Sequence, residues 1–288
     1  MIQKFISFVI CLSSIFAVNG KVVENNIVKS KILSKDISYS VYLPENYDTD
    51  TRSYPVIYLL PGYGDNHTSW VQNGNIGMYA DVAIRESKIP PVIIVIPDGG
   101  VSMYINSFDG KSNYEDFFIK EFMPTIEGIY RTKKGKSSRG ILGHSMGGWG
   151  AMLYALKYPD FFVAAAPLSA GIHDDYDIQH YDNERWETVF GSIFGSNLRG
   201  TDRLTECWYK NSILKIVDTK SKTEIEKVHF RISCGDQDIL LKGSILLHLA
   251  LAEKNINHQL RIKEGAHTWN YWRSDITEAL EFITGYFL

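Results

Sequence analysis

The chain has 288 residues, 44% hydrophobic, 13% aromatic and 22% charged, with 30 Lys plus Arg against 33 Asp plus Glu and a formal net charge of −3. That balance excludes a disordered chain, which buries too little apolar surface to offset its ordering entropy, and the length suffices for one large core. The mildly acidic, unclustered charge also excludes the basic footprint that holds nucleic acid or an anionic membrane surface.

The first twenty residues differ in kind. Lys4 precedes an apolar run from Phe5 to Val18, and small or polar residues follow. A run this short, with no stop-transfer charges behind it, predicts a secretory signal peptide (1–20) cleaved near Gly20. The expected location is secreted or periplasmic, without stable membrane association, and residues 21–288 are expected to form a single domain. Cys11 goes with the signal. Cys207 and Cys234 are too few for a disulfide framework; whether they pair is left open, the alternative for Cys234 being a small buried residue at a strand end.

Ile37, Tyr39, Val41 and Leu43 alternate with Ser38, Ser40 and Tyr42, the period of a half-exposed strand, and residues 27–33 read similarly. These predict an antiparallel opening to a sheet. The texture then changes to short continuous apolar runs, VIYLL (56–60), VIIVI (92–96), GIL (140–142) and FVAAAPL (162–168), as in strands buried on both faces. Helical patterns at 76–87, 114–130 and 147–158 separate them, and Pro124 should kink or divide the second. Residues 171–212, acidic and rich in aromatics, are too long for an ordinary connection and predict a lid or small helical insertion. Strand VHFRISC (228–234), a helix from about Gly243 to Asn255, strand HQLRIK (258–263) and a closing helix from about Trp272 to Phe287 complete the alternation. The fold class is α/β, with a mostly parallel central sheet covered by helices on both faces.

In GILGHSMGGWGAM (140–152) five glycines surround Ser145. The pattern G-x-S-x-G is cheap by itself, but here an apolar strand leads in and a helical run leads out. Ser145 is thereby placed at a strand-to-helix turn that lifts its hydroxyl above the sheet. Serine is a weak nucleophile at neutral pH and needs a histidine base oriented by a carboxylate. Strand 228–234 runs into Asp236 and Asp238, and strand 258–263 runs into His267, which is the chain order acid then histidine. His229, His258, His248, His173 and His180 fall within strands, a helix or the insertion and read as packed or solvent-facing. His144 should point away from Ser145 and support the turn. The tetrahedral oxyanion requires two donors. Met146 supplies one backbone N–H, and Tyr63, between the glycines of PGYGDNHTSW, is placed to supply the other.

Taken in order and spacing, YLLPGYGDNHTSW, IPDGGVSMYINSFDG, NYEDFFIKEFMPTIE, GILGHSMGGWGAM, SCGDQDILL and GAHTWNYW resemble the esterase family of α/β-hydrolases. That family includes feruloyl esterases, acetyl xylan esterases, S-formylglutathione hydrolases and mycolyltransferases, and the resemblance covers about residues 30–288. It implies an α/β-hydrolase fold, and a Cys-Gly-x-x-Asp pattern that puts the acid on Asp238 and leaves Asp236 as a turn former. Pro61-Gly62 stands where relatives often carry His-Gly, and Met103-Tyr104 where many carry Trp before the tyrosine; both departures spare the triad and bear on the acyl pocket.

The expected activity is a secreted serine carboxylesterase removing feruloyl or acetyl groups from plant cell-wall polysaccharide, its partner a small ester or acylated polysaccharide. Trp70, Tyr104, Trp186 and Trp269 are candidate aromatic surfaces for a sugar or cinnamoyl ring, with core packing the alternative for each. A thioesterase acting on S-formylglutathione is disfavoured by the signal peptide, and mycolyltransferase-like acyl transfer keeps the same triad. A non-catalytic carbohydrate binder has no need of Ser145, Asp238 and His267 together. No cofactor or metal is expected, since Asp174-Asp175-Asp177 lacks regular ligand spacing.

Overall fold

The computed structural model describes residues 19–288. The predicted signal peptide, apart from Asn19 and Gly20, lies outside the described residues. Strands β1 (Lys21–Ser30), β2 (Lys35–Leu43), β3 (Val56–Leu60), β4 (Ile93–Pro97), β5 (Arg139–His144), β6 (Ala164–Leu168), β7 (His229–Gly235) and β8 (His258–Lys263) form one sheet. Their order is β1-β2-β4-β3-β5-β6-β7-β8. β2 runs antiparallel to both β1 and β4, and every other neighbouring pair is parallel.

Every residue of β3, β4 and β6 is buried, because helices cover both faces. Side chains alternate between the two layers. Val56, Tyr58 and Leu60 enter the core beneath the helices at 114–129, Met146–Lys157 and Leu241–Glu253, whereas Ile57 and Leu59 enter the core shared with Ile76–Arg85 and Trp269–Thr284. The alternation of β1 fits the expected exposed face, but β2, expected to be half-exposed, is buried on both faces from Tyr39 to Leu43, because it lies inside the sheet between β1 and β4 and Tyr42 turns into the layer of Ile76–Arg85.

Three local differences have physical causes. The helix at 114–129 contains a π-helical turn at Phe118–Phe122, just upstream of Pro124. Proline has no N–H and its ring crowds the carbonyl four residues back, so the wider turn accommodates it without ending the helix, and the Thr125 hydroxyl bonds the Glu121 carbonyl at 2.7 Å. The closing helix begins at Trp269, three residues earlier than expected. The insertion is helical as expected but runs on past 212, through helices Ile213–Thr219 and Lys222–Ile225.

The insertion is a chain of short helices whose N-termini are capped by Asp174, Asp182, Thr205, Ser212 and Ser221. Trp186, Phe190, Phe194 and Trp208 pack together, with ring centroids 5.4–5.8 Å apart between successive pairs. Phe194 stacks on Trp149 of the helix Met146–Lys157, and the aromatic group is continuous with the core on that side of the sheet. Cys207 and Cys234 are both free thiols; burial pushes the Cys234 thiol up to about 11.

Candidate active site

The parallel register aligns the C-terminal ends of the central strands: Gly143 lies opposite Leu60, and His144 opposite Leu168. At that edge the chain passes from β5 to the helix Met146–Lys157 through Ser145 alone, at φ 55° and ψ −119°. A positive φ on a residue with a Cβ is strained by about 1–3 kcal/mol and must be held in place. The Ser145 N–H donates to the Leu168 carbonyl at 3.0 Å, and its own carbonyl accepts from Trp149 at 3.0 Å and Gly171 at 3.1 Å. A Cβ on Gly147 would stand 2.0 Å from the Leu60 carbonyl oxygen, and one on Gly143 2.5 Å from that of Gly147. Those two glycines are the clearance that the turn requires.

The loops after β7 and β8 bring the other two predicted residues to Ser145. His267 Nε2 lies 3.0 Å from Ser145 Oγ, and His267 Nδ1 lies 3.0 Å from both carboxylate oxygens of Asp238. The Asp238 side chain is fully buried, whereas that of His267 is partly open to solvent. Burial alone would push the Asp238 carboxyl up, but the bond to His267, the Leu240 amide at 2.8 Å and the nearby Ser169 hydroxyl outweigh it and hold the carboxyl below its ordinary value. Asp238 thus stays an acceptor that fixes the imidazole with Nε2 toward Ser145. Trp272 lies edge-on to His267 at 5.0 Å and limits its tilt. Asp236 accepts the Gly265 amide at 3.0 Å as a turn former.

The backbone N–H groups of Tyr63 and Met146 have no acceptor among the described residues. Tyr63 is also fastened at its other end, where its hydroxyl donates to the Thr188 carbonyl of the insertion at 2.7 Å. His144 points to the opposite face of the sheet from Ser145, into a pocket of Trp70, Trp269 and Trp272. Burial pushes its pKa down, so the ring is neutral, and Nε2 bonds Asp65 at 2.9 Å. Burial raises the Asp65 carboxyl, but His144, Ser69 and the Gly62 amide together bring it below its usual range. His144 therefore ties the serine turn to the loop 62–65.

Three of the four aromatic candidates are core residues. Trp70 is fully buried against His144 and Trp269, on the face of the sheet away from Ser145. Tyr104 is fully buried, packs on Gly99 and Gly150, and donates its hydroxyl to the Pro61 carbonyl at 2.8 Å, bracing the loop that carries Tyr63. Trp186 is fully buried inside the insertion, with its indole N–H on the Gly195 carbonyl at 3.0 Å. None offers a free ring face to a ligand. Trp269 is half-buried, two residues from His267.

Asp65, Ser169, Trp272 and Arg203 carry roles that no sequence pattern assigns them. Ser169 follows the last residue of β6 and accepts the Trp272 indole N–H at 3.1 Å. Arg203 is fully buried beneath Trp186 and donates to the carbonyls of Ile178 and Leu198 and to Asn183, assembling the insertion. The acidic group Asp174-Asp175-Asp177 is accounted for by the helix cap, by Lys242 and by the Trp208 indole. Among the remaining histidines, His248 bonds His258 at 2.7 Å and His229 stacks on Tyr286. No helix among the described residues is long and apolar enough to cross a membrane.

Comparison with known proteins bears on this geometry. Residues 30–283 match the family described as "Putative esterase". The chain is 26% identical over 273 residues to an acetyl esterase of Caldicellulosiruptor saccharolyticus, covering 88% of this chain and 95% of that protein. It is 35% identical over 147 residues to an endo-1,4-beta-xylanase/feruloyl esterase of Xylanibacter ruminicola, where the match covers 49% of this chain and 20% of the relative. A solved ferulic acid esterase superposes with a TM-score of 0.79 at 29% identity, over 93% of this chain and all of that one. The chain belongs to this esterase family of the α/β-hydrolase fold and is a carboxylic ester hydrolase.

Proposed function

We propose that Ser145, His267 and Asp238 are the nucleophile, base and acid of an exported serine carboxylesterase that removes acetyl or feruloyl groups from plant cell-wall polysaccharide. The observation that carries the mechanism is the unbroken relay from Ser145 Oγ through His267 to Asp238, with both steps at 3.0 Å. Ser145 Oγ attacks the ester carbonyl carbon as His267 Nε2 takes its proton, and the oxyanion is met by the N–H groups of Tyr63 and Met146. Collapse breaks the bond to the alcohol, which leaves with the proton from His267, and the acyl group remains on Ser145. Water, deprotonated by His267, then attacks the acyl-enzyme, releasing the acid and restoring Ser145.

The substrate reading is supported by the names of the relatives, an acetyl esterase, a xylanase/feruloyl esterase and a ferulic acid esterase. Export is supported by Lys4 and the apolar run that follows it. Cleavage near Gly20 spares the whole sheet, since β1 starts at Lys21. The test is a panel of methyl ferulate, acetylated xylan, a trehalose acyl donor and S-formylglutathione, with Ser145→Ala as the blank. Turnover of the first two, and a loss of about 10³-fold or more in that variant, is expected. Unchanged activity in the variant would sink the mechanism, and turnover confined to the last two would sink the substrate. N-terminal sequencing of the exported protein should begin near residue 21.

A further inference from the structure

A groove of about 660 Å³ lies at the same edge of the sheet as Ser145, beyond the end of β4, two strands away from β5. Its walls are the start of β2 (35–38), the loop after β4 (98–102), the loop 107–112 and residues 191–196 of the insertion. A second hollow of about 570 Å³ adjoins it across Ser107 and Phe108, which line both. We propose that this groove binds the neutral glycan chain that carries the ester, gripping sugar residues beyond the one whose acyl group reaches Ser145. The proposal rests on the polysaccharide reading above.

The lining chemistry selects the ligand. Phe108, on the ridge between the hollows, is 52% exposed, and Val101 in the same groove is 46% exposed. An aromatic ring this open in a cleft of mixed polar and apolar lining suits the C–H face of a pyranose, whose hydroxyls need donors and acceptors at the rim. Those are present and unspent: the side chains of Lys35, Asp36, Ser38, Ser112, Ser192 and Ser196 make no hydrogen bond among the described residues. Lys111 is neutralised by Asp109 at 2.8 Å. No arginine lines either hollow, and carboxylates slightly outnumber ammonium groups, so the net charge of the lining disfavours an anionic polymer or a phosphorylated ligand.

The groove is built before any ligand arrives. The Phe108 N–H donates to the Ile193 carbonyl at 2.8 Å, and the Ser107 N–H to the Ser112 carbonyl at 2.7 Å, so the loop that presents the ring is fastened at both ends. That lowers the ordering cost of binding. Both walls are also connected to the oxyanion loop. Thr188, whose carbonyl holds the Tyr63 hydroxyl, is three residues before Gly191 in the groove wall, about 5 Å along a helical turn. Gly99, in the opposite wall, lies against the Tyr104 hydroxyl that braces Pro61.

The test separates polymer from small ester. Phe108→Ala should lower kcat/KM on acetylated xylan about tenfold, chiefly through KM, and leave hydrolysis of a small aryl ester unchanged. Ser196→Arg, which puts a bulky cation in the groove from an exposed position, should do the same. With Ser145→Ala, unesterified xylohexaose should bind by calorimetric titration and lose binding when Phe108→Ala is added. Equal losses on both esters, no loss on the polymer, or tighter binding of an oligogalacturonate than of xylohexaose would each overturn the groove. Failure of the acyl-group panel instead overturns the substrate reading, because the xylohexaose titration needs no ester.

Discussion

The sheet edge and the insertion differ in how they hold their side chains. At the edge, Ser145, Asp238 and His267 each follow a strand end by one to four residues; β5 and β7 are paired on both sides, and β8, the last strand of the sheet, is paired along its whole length to β7. The insertion has no such frame. It is a series of helices of three to seven residues, most of them capped by their own Ser, Thr or Asp, and assembled around Arg203 and a group of aromatic rings. Geometry at the edge is set by long-range pairing, and in the insertion by local bonds and packing. Chemistry that tolerates little displacement sits on the former, and the wall of the proposed glycan groove on the latter.

Substitutions should divide accordingly. The largest effect is the loss of about 10³-fold or more at Ser145→Ala, with folding intact, since the residue lies in the rigid edge and contributes little packing. Next is Asp275, fully buried behind β7, where it accepts from Arg231 at 2.6 and 2.8 Å and from Ser233 at 2.7 Å. Asp275→Ala leaves the buried Arg231 guanidinium with Glu278, at 3.0 Å, as its remaining carboxylate and should cost about 3 kcal/mol in urea unfolding. Burial pushes the Asp275 carboxyl up, but Arg231, Ser233 and Lys263 more than offset it, so its pKa is lowered on folding. Its contribution is therefore complete above the ordinary aspartate pKa of about 3.9 and is lost as pH falls through the lower folded value. The variant should show a shallower acid limb than the parent, and an identical limb would refute that role.

A smaller effect tests the link between the serine turn and the oxyanion loop. Asp65→Ala removes the partner of a buried histidine and should reduce kcat about 10- to 100-fold with KM little changed. Asp65→Asn, which keeps an acceptor, should recover most of it in steady-state assays. The smallest belongs to the insertion: Asp182→Ala removes the cap on the Arg185 amide and should cost about 1 kcal/mol while leaving aryl-ester turnover intact. A large loss of turnover there would erase the contrast between the two regions.

The central strands were legible because parallel strands buried on both faces read as unbroken apolar runs, and the three candidate catalytic residues because each falls a few residues past a strand end, His267 after the more exposed HQLRIK. The aromatic roles were not. Whether Trp70, Tyr104 or Trp186 turns its ring inward depends on elements far along the chain: His144 for the first, Pro61 and Gly150 for the second, Arg203 for the third. Arg203 itself reads as an ordinary surface charge; only carbonyls gathered from separate loops make its burial tolerable. Asp65 was similarly hidden, since its partner lies 79 residues away.

The bond from Tyr63 to Thr188 ends on a backbone carbonyl, not on a side chain. Residue 188 can therefore change identity without releasing the tyrosine, provided the chain keeps its path there. The insertion is free to drift in sequence, and so to try new groove walls, while the loop beside the reacting serine stays moored.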